Sequence, residues 1–254
     1  MITIPQVDYL SSACKLLSFT TKNSLQDIKI STVYNSQNQL TELVAKDLVN
    51  YTAGFNRRFE YENGQLKRII RNYEDYPDLS PVPIKNQIAS EYEYGKYGIE
   101  KIHNYESASN GGYETQYFEF KYADGPKPIG MSYFINMSYP EVKFILAFRS
   151  TFEYDNNGNL SREIIENVGG LGGSHDTKIK MYFFDDKINT VKNLNYIYFN
   201  SEAPALVLST NNVVKVKSIF PSNEYEQTVS VKYDSNGNAL WGPTDFSNVV
   251  WGCQ

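Results

Sequence analysis

Ser174, His175 and Asp176 close the run Val168-Gly169-Gly170-Leu171-Gly172-Gly173, and they are the three side-chain types of a nucleophilic triad. A triad needs nucleophile, base and orienting acid to converge from separate positions, which three neighbours in one loop do not do. No Gly-x-Ser-x-Gly elbow is present. The same run lacks the Lys-Ser/Thr pair that completes a phosphate-binding loop, so it is expected to be a flexible connection. His103 and His175 are the only histidines, and no His-Glu-x-x-His or Cys-x-x-Cys spacing occurs, so no metal site is expected. Asp155-x-Asn157-x-Asn159 begins like a calcium loop, with Glu166 at the twelfth position. Leu160 holds the sixth position, where such a loop needs glycine for its sharp turn. Asp234-x-Asn236-x-Asn238 fits less well, with Ala239 sixth and Asp245 twelfth. Turn capping by Asp and Asn accounts for both segments without a metal. Glutamates are scattered along polar faces, and no pair can be given acid and base roles for sugar hydrolysis. No catalytic residue and no cofactor is expected, and the chain reads as a non-enzyme.

Binding chemistry is better represented. Tyr92, Tyr94, Tyr97, Tyr105, Tyr113 and Tyr117 crowd one region, and Trp241 and Trp251 lie near the end of the chain. Such rings pack well across strands. They also form stacking platforms and interaction hot spots. Tyr92, Tyr94, Tyr97, Trp241 and Trp251 are therefore the candidate contacts for a glycan or protein ligand. Cys14 and Cys253 are the only cysteines. They are either two small buried hydrophobes or one disulfide tying the first strand to the last. Closing so long a loop would stabilise by up to about 5 kcal/mol, and only in an oxidising compartment.

The elements that must position these residues read as strands. Tyr and Phe number 21 and 14, and both favour pleated, half-buried surfaces. One unit recurs: an aromatic alternating strand, a polar Asn/Gly turn, then an apolar alternating strand. Copies are Val33-Tyr34-Asn35-Ser36-Gln37-Asn38-Gln39-Leu40, Phe59-Glu60-Tyr61-Glu62-Asn63-Gly64-Gln65-Leu66, Phe152-Glu153-Tyr154-Asp155-Asn156-Asn157-Gly158-Asn159-Leu160 and Val231-Lys232-Tyr233-Asp234-Ser235-Asn236-Gly237-Asn238-Ala239-Leu240. Weaker copies begin at Tyr92, Phe118 and Tyr182. Asn-Gly supplies the positive φ values a tight hairpin needs. Alternation predicts that Val142, Phe144, Leu146, Phe148, Phe152 and Tyr154 share one apolar face. The opposite face carries Lys143, Arg149 and Glu153, which argues against a lipid-facing wall. Asp78-Leu79-Ser80-Pro81-Val82-Pro83 reads as a loop, leading into a short helix near Ile84 to Ser90.

Composition sets the outer limits. With 41% hydrophobic and 15% aromatic residues the chain is too apolar for disorder. Its net charge of −5 excludes sequence-blind nucleic-acid binding, which needs a basic surface. No apolar run reaches the roughly 18 residues of a membrane-crossing helix. No linker divides the repeats, so residues 1–254 are expected to form one all-β domain. That domain is an antiparallel meander of serial β-hairpins with little helix. So many strands should curl into a flattened barrel or barrel-like sandwich. Met1 to Leu10 lacks the charged start and apolar core of a secretory signal. Leu10-Ser11-Ser12-Ala13-Cys14 has the small residues and cysteine of a lipidation site, without the apolar segment upstream.

Tyr154-Asp155-…-Gly158-Asn159-Leu160 and Tyr233-Asp234-…-Gly237-Asn238 are similar to tyrosine–aspartate (YD/Rhs-type) repeats. The whole layout, from about Cys14 to Cys253, more closely resembles a family of bacterial surface lipoproteins of unknown function with a porin-like β fold. Members share an early Cys, serial Tyr-Asp-x-x-Gly hairpins and a late Asn-Asn segment, matched here by Leu208-Ser209-Thr210-Asn211-Asn212-Val213-Val214. The resemblance implies export to the bacterial periplasm or outer-membrane surface, with the signal peptide removed. It implies membrane attachment only through a lipid anchor absent from this chain, and no activity. The expected function is a non-enzymatic surface module that binds a glycan or a protein. The alternative is a carrier whose barrel lumen holds an apolar ligand such as a lipid. A hydrolase with dispersed carboxylates is a third reading that no residue selects.

Overall fold

The computed structural model describes residues 14–22, 27–47, 55–73, 84–106, 112–138, 142–168, 176–190, 203–239 and 246–253. The strands are β1 Cys14–Lys22, β2 Asp27–Tyr34, β3 Leu40–Asp47, β4 Phe55–Glu62, β5 Gln65–Tyr73, β6 Ile84–Tyr94, β7 Ile99–Glu106 and β8 Tyr113–Tyr122. They continue as β9 Pro128–Asn136, β10 Phe144–Tyr154, β11 Leu160–Asn167, β12 Thr177–Ile188, β13 Asn211–Ile219, β14 Glu224–Thr228 and β15 Phe246–Cys253. Among the described residues a single helical turn, α1, spans Ala205–Leu208. The fold is thus an antiparallel meander of hairpins, with almost no helix among the described residues, as the alternation and turn chemistry predict.

The chain divides into two compact units. One comprises Met1–Tyr92, Tyr105–Tyr113 and Lys232–Gln254, the other Glu93–Asn104 and Glu114–Val231. In the first, the hydrogen-bonded order runs β6-β5-β4-β3-β2-β1-β15. Its last pair brings Cys14 directly opposite Cys253. In the second the order runs from β14 back to β7 in reverse chain order. Each unit buries its own core: Ile30, Leu43, Phe59, Leu66 and Ile69 in the first; Phe118, Met131, Phe152, Leu160, Val207 and Val213 in the second. Burying each such side chain contributes about 1.5–3 kcal/mol.

The turns explain the repeat. Between β10 and β11, Asp155 Oδ1 accepts from the backbone N–H of Asn157 and Asn159 at 2.9 and 2.8 Å. Asp155 Oδ2 accepts from Asn159 Nδ2 at 3.1 Å. Gly158 N–H bonds back to the Asp155 carbonyl at 3.1 Å, and Gly158 takes φ +86°. This is a type I turn closed by a left-handed residue. Asp234 to Asn238 repeats it bond for bond, with Gly237 at φ +79°. Asn35 to Gln39 repeats it with Asn38 in the left-handed place, at φ +62°. The β4–β5 turn is shorter, with Asn63 and Gly64 alone, both at positive φ.

In four of the units the tyrosine has its own task. Tyr34, Tyr61, Tyr122 and Tyr154 each end a strand and donate their hydroxyl to a carbonyl near the start of the strand before. The acceptors are Leu16, Leu40, Ile99 and Pro128, at 2.8–2.9 Å. Each clasp adds about 1 kcal/mol, the usual net value of such a bond. Burial raises the Tyr34 phenol pKa and pushes that of Tyr122 up to about 12.

Three expectations are corrected. Ile84 to Ser90 is strand, not helix: it pairs with β5 through Ile70↔Ile88 and Ile69↔Ser90, with a bulge where Asn86 takes φ +52°. Tyr182 to Ile188 is not a hairpin. It carries no left-handed turn residue, and β12 runs through it with two register irregularities. Finally, Phe144 and Leu146 do not share a face with Phe148 and Phe152. A bulge between Leu146 and Phe148 inserts Ala147, pairing Leu146 with Phe134 but Phe148 with the next residue back, Tyr133. One extra residue flips the side-chain alternation.

Candidate functional site

The most reactive side chains of the second unit meet on its buried face. Glu163 on β11 is 0% exposed and lies opposite Phe152 on β10 and Lys180 on β12. Ser150 Oγ donates to Glu163 Oε1 and the Tyr182 hydroxyl to Oε2, both at 2.7 Å. Ser150, Lys180, Tyr182 and Ser218 are themselves buried. Burial raises the Glu163 pKa against the lowering by Ser150, Tyr182 and the Lys180 and Lys178 charges. The Tyr182 phenol goes well up, through burial and then the neighbouring carboxylate. Acid, hydroxyls and ammonium are those of a proton-transfer site, but they are sealed from solvent. No substrate reaches them without the strands parting. Their role is to complete one another's hydrogen bonds inside the sheet.

The accessible cluster lies on the other face, built on β7, β8, β9 and β10. The bulge at Ala147 puts Phe144 and Leu146 there. Tyr117 stacks on Phe134, its cross-strand partner, with centroids 4.5 Å apart and planes 13° apart. Phe144 meets Tyr117 edge-on at 4.8 Å. His103 lies 5.8 Å from the Tyr117 ring on its other side, and Lys101 Nζ lies 5.4 Å from it. Lys101 also pairs with Glu119 at 2.8 Å, which raises the ammonium pKa. His103 is held between two carboxylates, Nδ1 at 2.5 Å from Glu114 and Nε2 at 3.2 Å from Glu93. The aromatic rings are half-buried. Beyond them Met137 and Val142 are open to solvent, Val142 at 73%. The result is an apolar, aromatic centre with a charged rim, the composition of an interaction surface.

The residues expected to bind are distributed otherwise. Tyr92 is 1% exposed and its ring belongs to the core. Tyr94 is half-buried. Tyr97 is half-buried too, 6.3 Å from Tyr122, and Lys96 Nζ lies 4.6 Å from its ring and donates to its hydroxyl at 2.8 Å. Trp251 has its indole N–H enclosed without an acceptor among the described residues. Trp241 lies outside the described residues, as do Ser174 and His175 of the glycine-rich run. Of the crowded tyrosines, Tyr117 enters the accessible cluster, while Tyr105 bonds Glu91 at 2.7 Å and Tyr113 bonds Glu106 at 3.3 Å. Sequence reasoning missed Phe134, Phe144, His103 and Lys101 as neighbours of Tyr117. Alternation in β8 and β9 carried that signal, and the bulge in β10 hid the rest.

The calcium-like segments are turns. Both Asp155 oxygens already accept from donors of their own loop, and those amides would oppose a cation. Glu166 stands at the far end of β11, on the order of 20 Å along the strand. Among the described residues no three metal-binding side chains gather.

No protein-family model matches the sequence, and no curated protein matches it. Solved structures do resemble the fold. A porin-like protein from Bacteroides vulgatus ATCC 8482 superposes with a TM-score of 0.51 at 10% identity, over 89% of this chain and 91% of that one. A porin-like protein from Bacteroides uniformis ATCC 8492 gives 0.49 at 12% identity, over 90% and 86%. The class of architecture is therefore the porin-like β meander. At such identity the likeness concerns fold alone.

Proposed function

We propose that this chain is an exported, non-enzymatic β module of the bacterial cell envelope that binds a protein or glycan ligand. The contact is the Tyr117–Phe134–Phe144 cluster with its Lys101, Glu119, His103 and Glu93 rim. The observation that carries this reading is an aromatic centre left half-open on the sheet face while the acid–base groups are sealed inside. Tyr117 and Phe134 each spend a ring face on the other by stacking, which favours a protein ligand over a stacked sugar. Export is supported by the fold shared with a porin-like Bacteroides protein. Membership of the lipoprotein family and of the YD/Rhs-type repeats, a single domain over 1–254, closure of the meander into a barrel, and attachment through a lipid anchor all belong to the same proposal. Ion pairs such as Arg68–Glu91, Arg162–Glu153 and Lys217–Glu224 line exposed strand faces, which suits a wetted sheet better than a lipid-facing one.

The apolar carrier is the weaker reading. The buried face of the second unit holds Glu163 and Lys180, polar groups for which a lipid chain offers no hydrogen-bond partner. The test is a pull-down from envelope extract and a glycan array, each run with the wild-type chain and with Phe134→Ser and Lys101→Glu. Ligand captured by the wild-type chain and lost in both folded variants supports the aromatic contact. No capture at all, or capture that both variants keep, rejects it. Lipid co-purifying in native mass spectrometry would favour the carrier instead.

A further inference from the structure

Four Asn-Gly pairs punctuate the chain; Asn110-Gly111 lies outside the described residues, and the geometry of the other three is unequal. Asn157-Gly158 and Asn236-Gly237 lie in the longer turns, where each glycine N–H is bonded to the carbonyl of Asp155 or Asp234 at 3.1 Å. Gly158 is also buried, with Lys127 and Thr210 against it, whereas nothing lies within 4 Å of the place a Gly237 Cβ would take. The Asp155 turn is further pinned by Asn159 to Asn211 and by Leu160 N–H to Ser209 Oγ, at 3.1 and 3.0 Å. Asn63-Gly64 differs. It is a two-residue loop between the paired Glu62 and Gln65. In such a turn the hydrogen bonds belong to the flanking pair, so the glycine N–H is free. Asn63 is exposed and its carboxamide has no partner among the described residues.

We propose that Asn63 is a site of spontaneous covalent modification, converting to aspartate and isoaspartate, and that the fold protects Asn236 and, more strongly, Asn157. The Gly64 amide nitrogen attacks Asn63 Cγ. A new N–C bond closes a succinimide ring, and the side-chain nitrogen leaves as ammonia with the proton lost from Gly64. Water then adds to either ring carbonyl and breaks that carbon's bond to the ring nitrogen, which takes a proton from the water, giving aspartate or isoaspartate with no change of oxidation state. At Gly158 and Gly237 the attacking nitrogen must first give up its hydrogen bond, and at Gly158 the surrounding contacts as well. The product adds a negative charge beside Glu60 and Glu62. Its isoaspartate form also lengthens the backbone of a two-residue turn whose Gly64 carbonyl accepts from Gln39 Nε2 at 3.0 Å.

The full chain is incubated at mildly alkaline pH and mapped by peptide mass spectrometry, folded and in denaturant. In the folded chain the acid forms should accumulate at position 63 several-fold faster than at 236, and slowest at 157. In denaturant the three rates should converge. Modification at 157 or 236 as fast as at 63 in the folded chain overturns the proposal, as does an order that persists in denaturant.

Discussion

Glu163 is a carboxyl group taken wholly out of water and kept there by two hydroxyl donors and a facing ammonium. Its pKa is raised in the folded chain, chiefly by burial. A raised folded value means that the protonated form is the one the fold prefers. The stability this contributes is full below the unfolded value of about 4.3. It is lost as pH rises through the folded value. Glu163→Gln keeps the shape and removes the titration. The wild-type chain's melting temperature, measured across pH against this variant, should therefore lose ground as pH rises. A difference between the two that is constant with pH would show that Glu163 does not titrate differently on folding.

The turn is the element where residue identity matters most. Asp155 and Asp234 both have lowered pKa values: burial pushes each up, but the loop's own N–H donors outweigh it. A lowered carboxylate contributes stability above its unfolded value, near 3.9. That contribution is lost as pH falls through the folded value. Asn35 fills the same place in the first turn with the same two backbone acceptances. Asp155→Asn should thus be tolerated, while Asp155→Ala should cost about 1.5–3 kcal/mol in denaturant unfolding, the range for bonds to a charged group. Calcium should leave the melting temperature of both variants and the wild type unchanged. The turns were legible in the sequence because Asn and Gly are the residues that accept positive φ, and Asn63, Gly64, Gly158 and Gly237 all take it. The bulge at Ala147 was not legible, since alanine is no bulge signal and the extra residue shows only when β10 is laid beside β9. Nor was β6, because Ile84 to Ser90 is held extended by β5 rather than by its own pattern. The aromatic cluster was half legible: Tyr117 came from crowding, whereas its neighbours depend on register.

At the scale of the whole molecule, the first and last strands lie side by side within one unit, and Cys14 faces Cys253 across them. That pairing is the ground for proposing a disulfide between them. Peptide mapping without reductant should find the linked peptide, and reduction should lower the melting temperature, by a loss of up to about 5 kcal/mol on the loop-entropy account. Two free thiols in protein purified from an oxidising compartment would remove the staple and leave the hairpins as they are.

The tyrosine clasps reach one strand back and no further. Each new hairpin needs only a hydroxyl of its own and a carbonyl that its predecessor already offers. Such an architecture is indifferent to how many units it holds. Gene-level duplication or deletion of a whole hairpin would set the next tyrosine beside the start of another strand, where it can form the same bond, so length can drift among descendants while the bonding scheme persists.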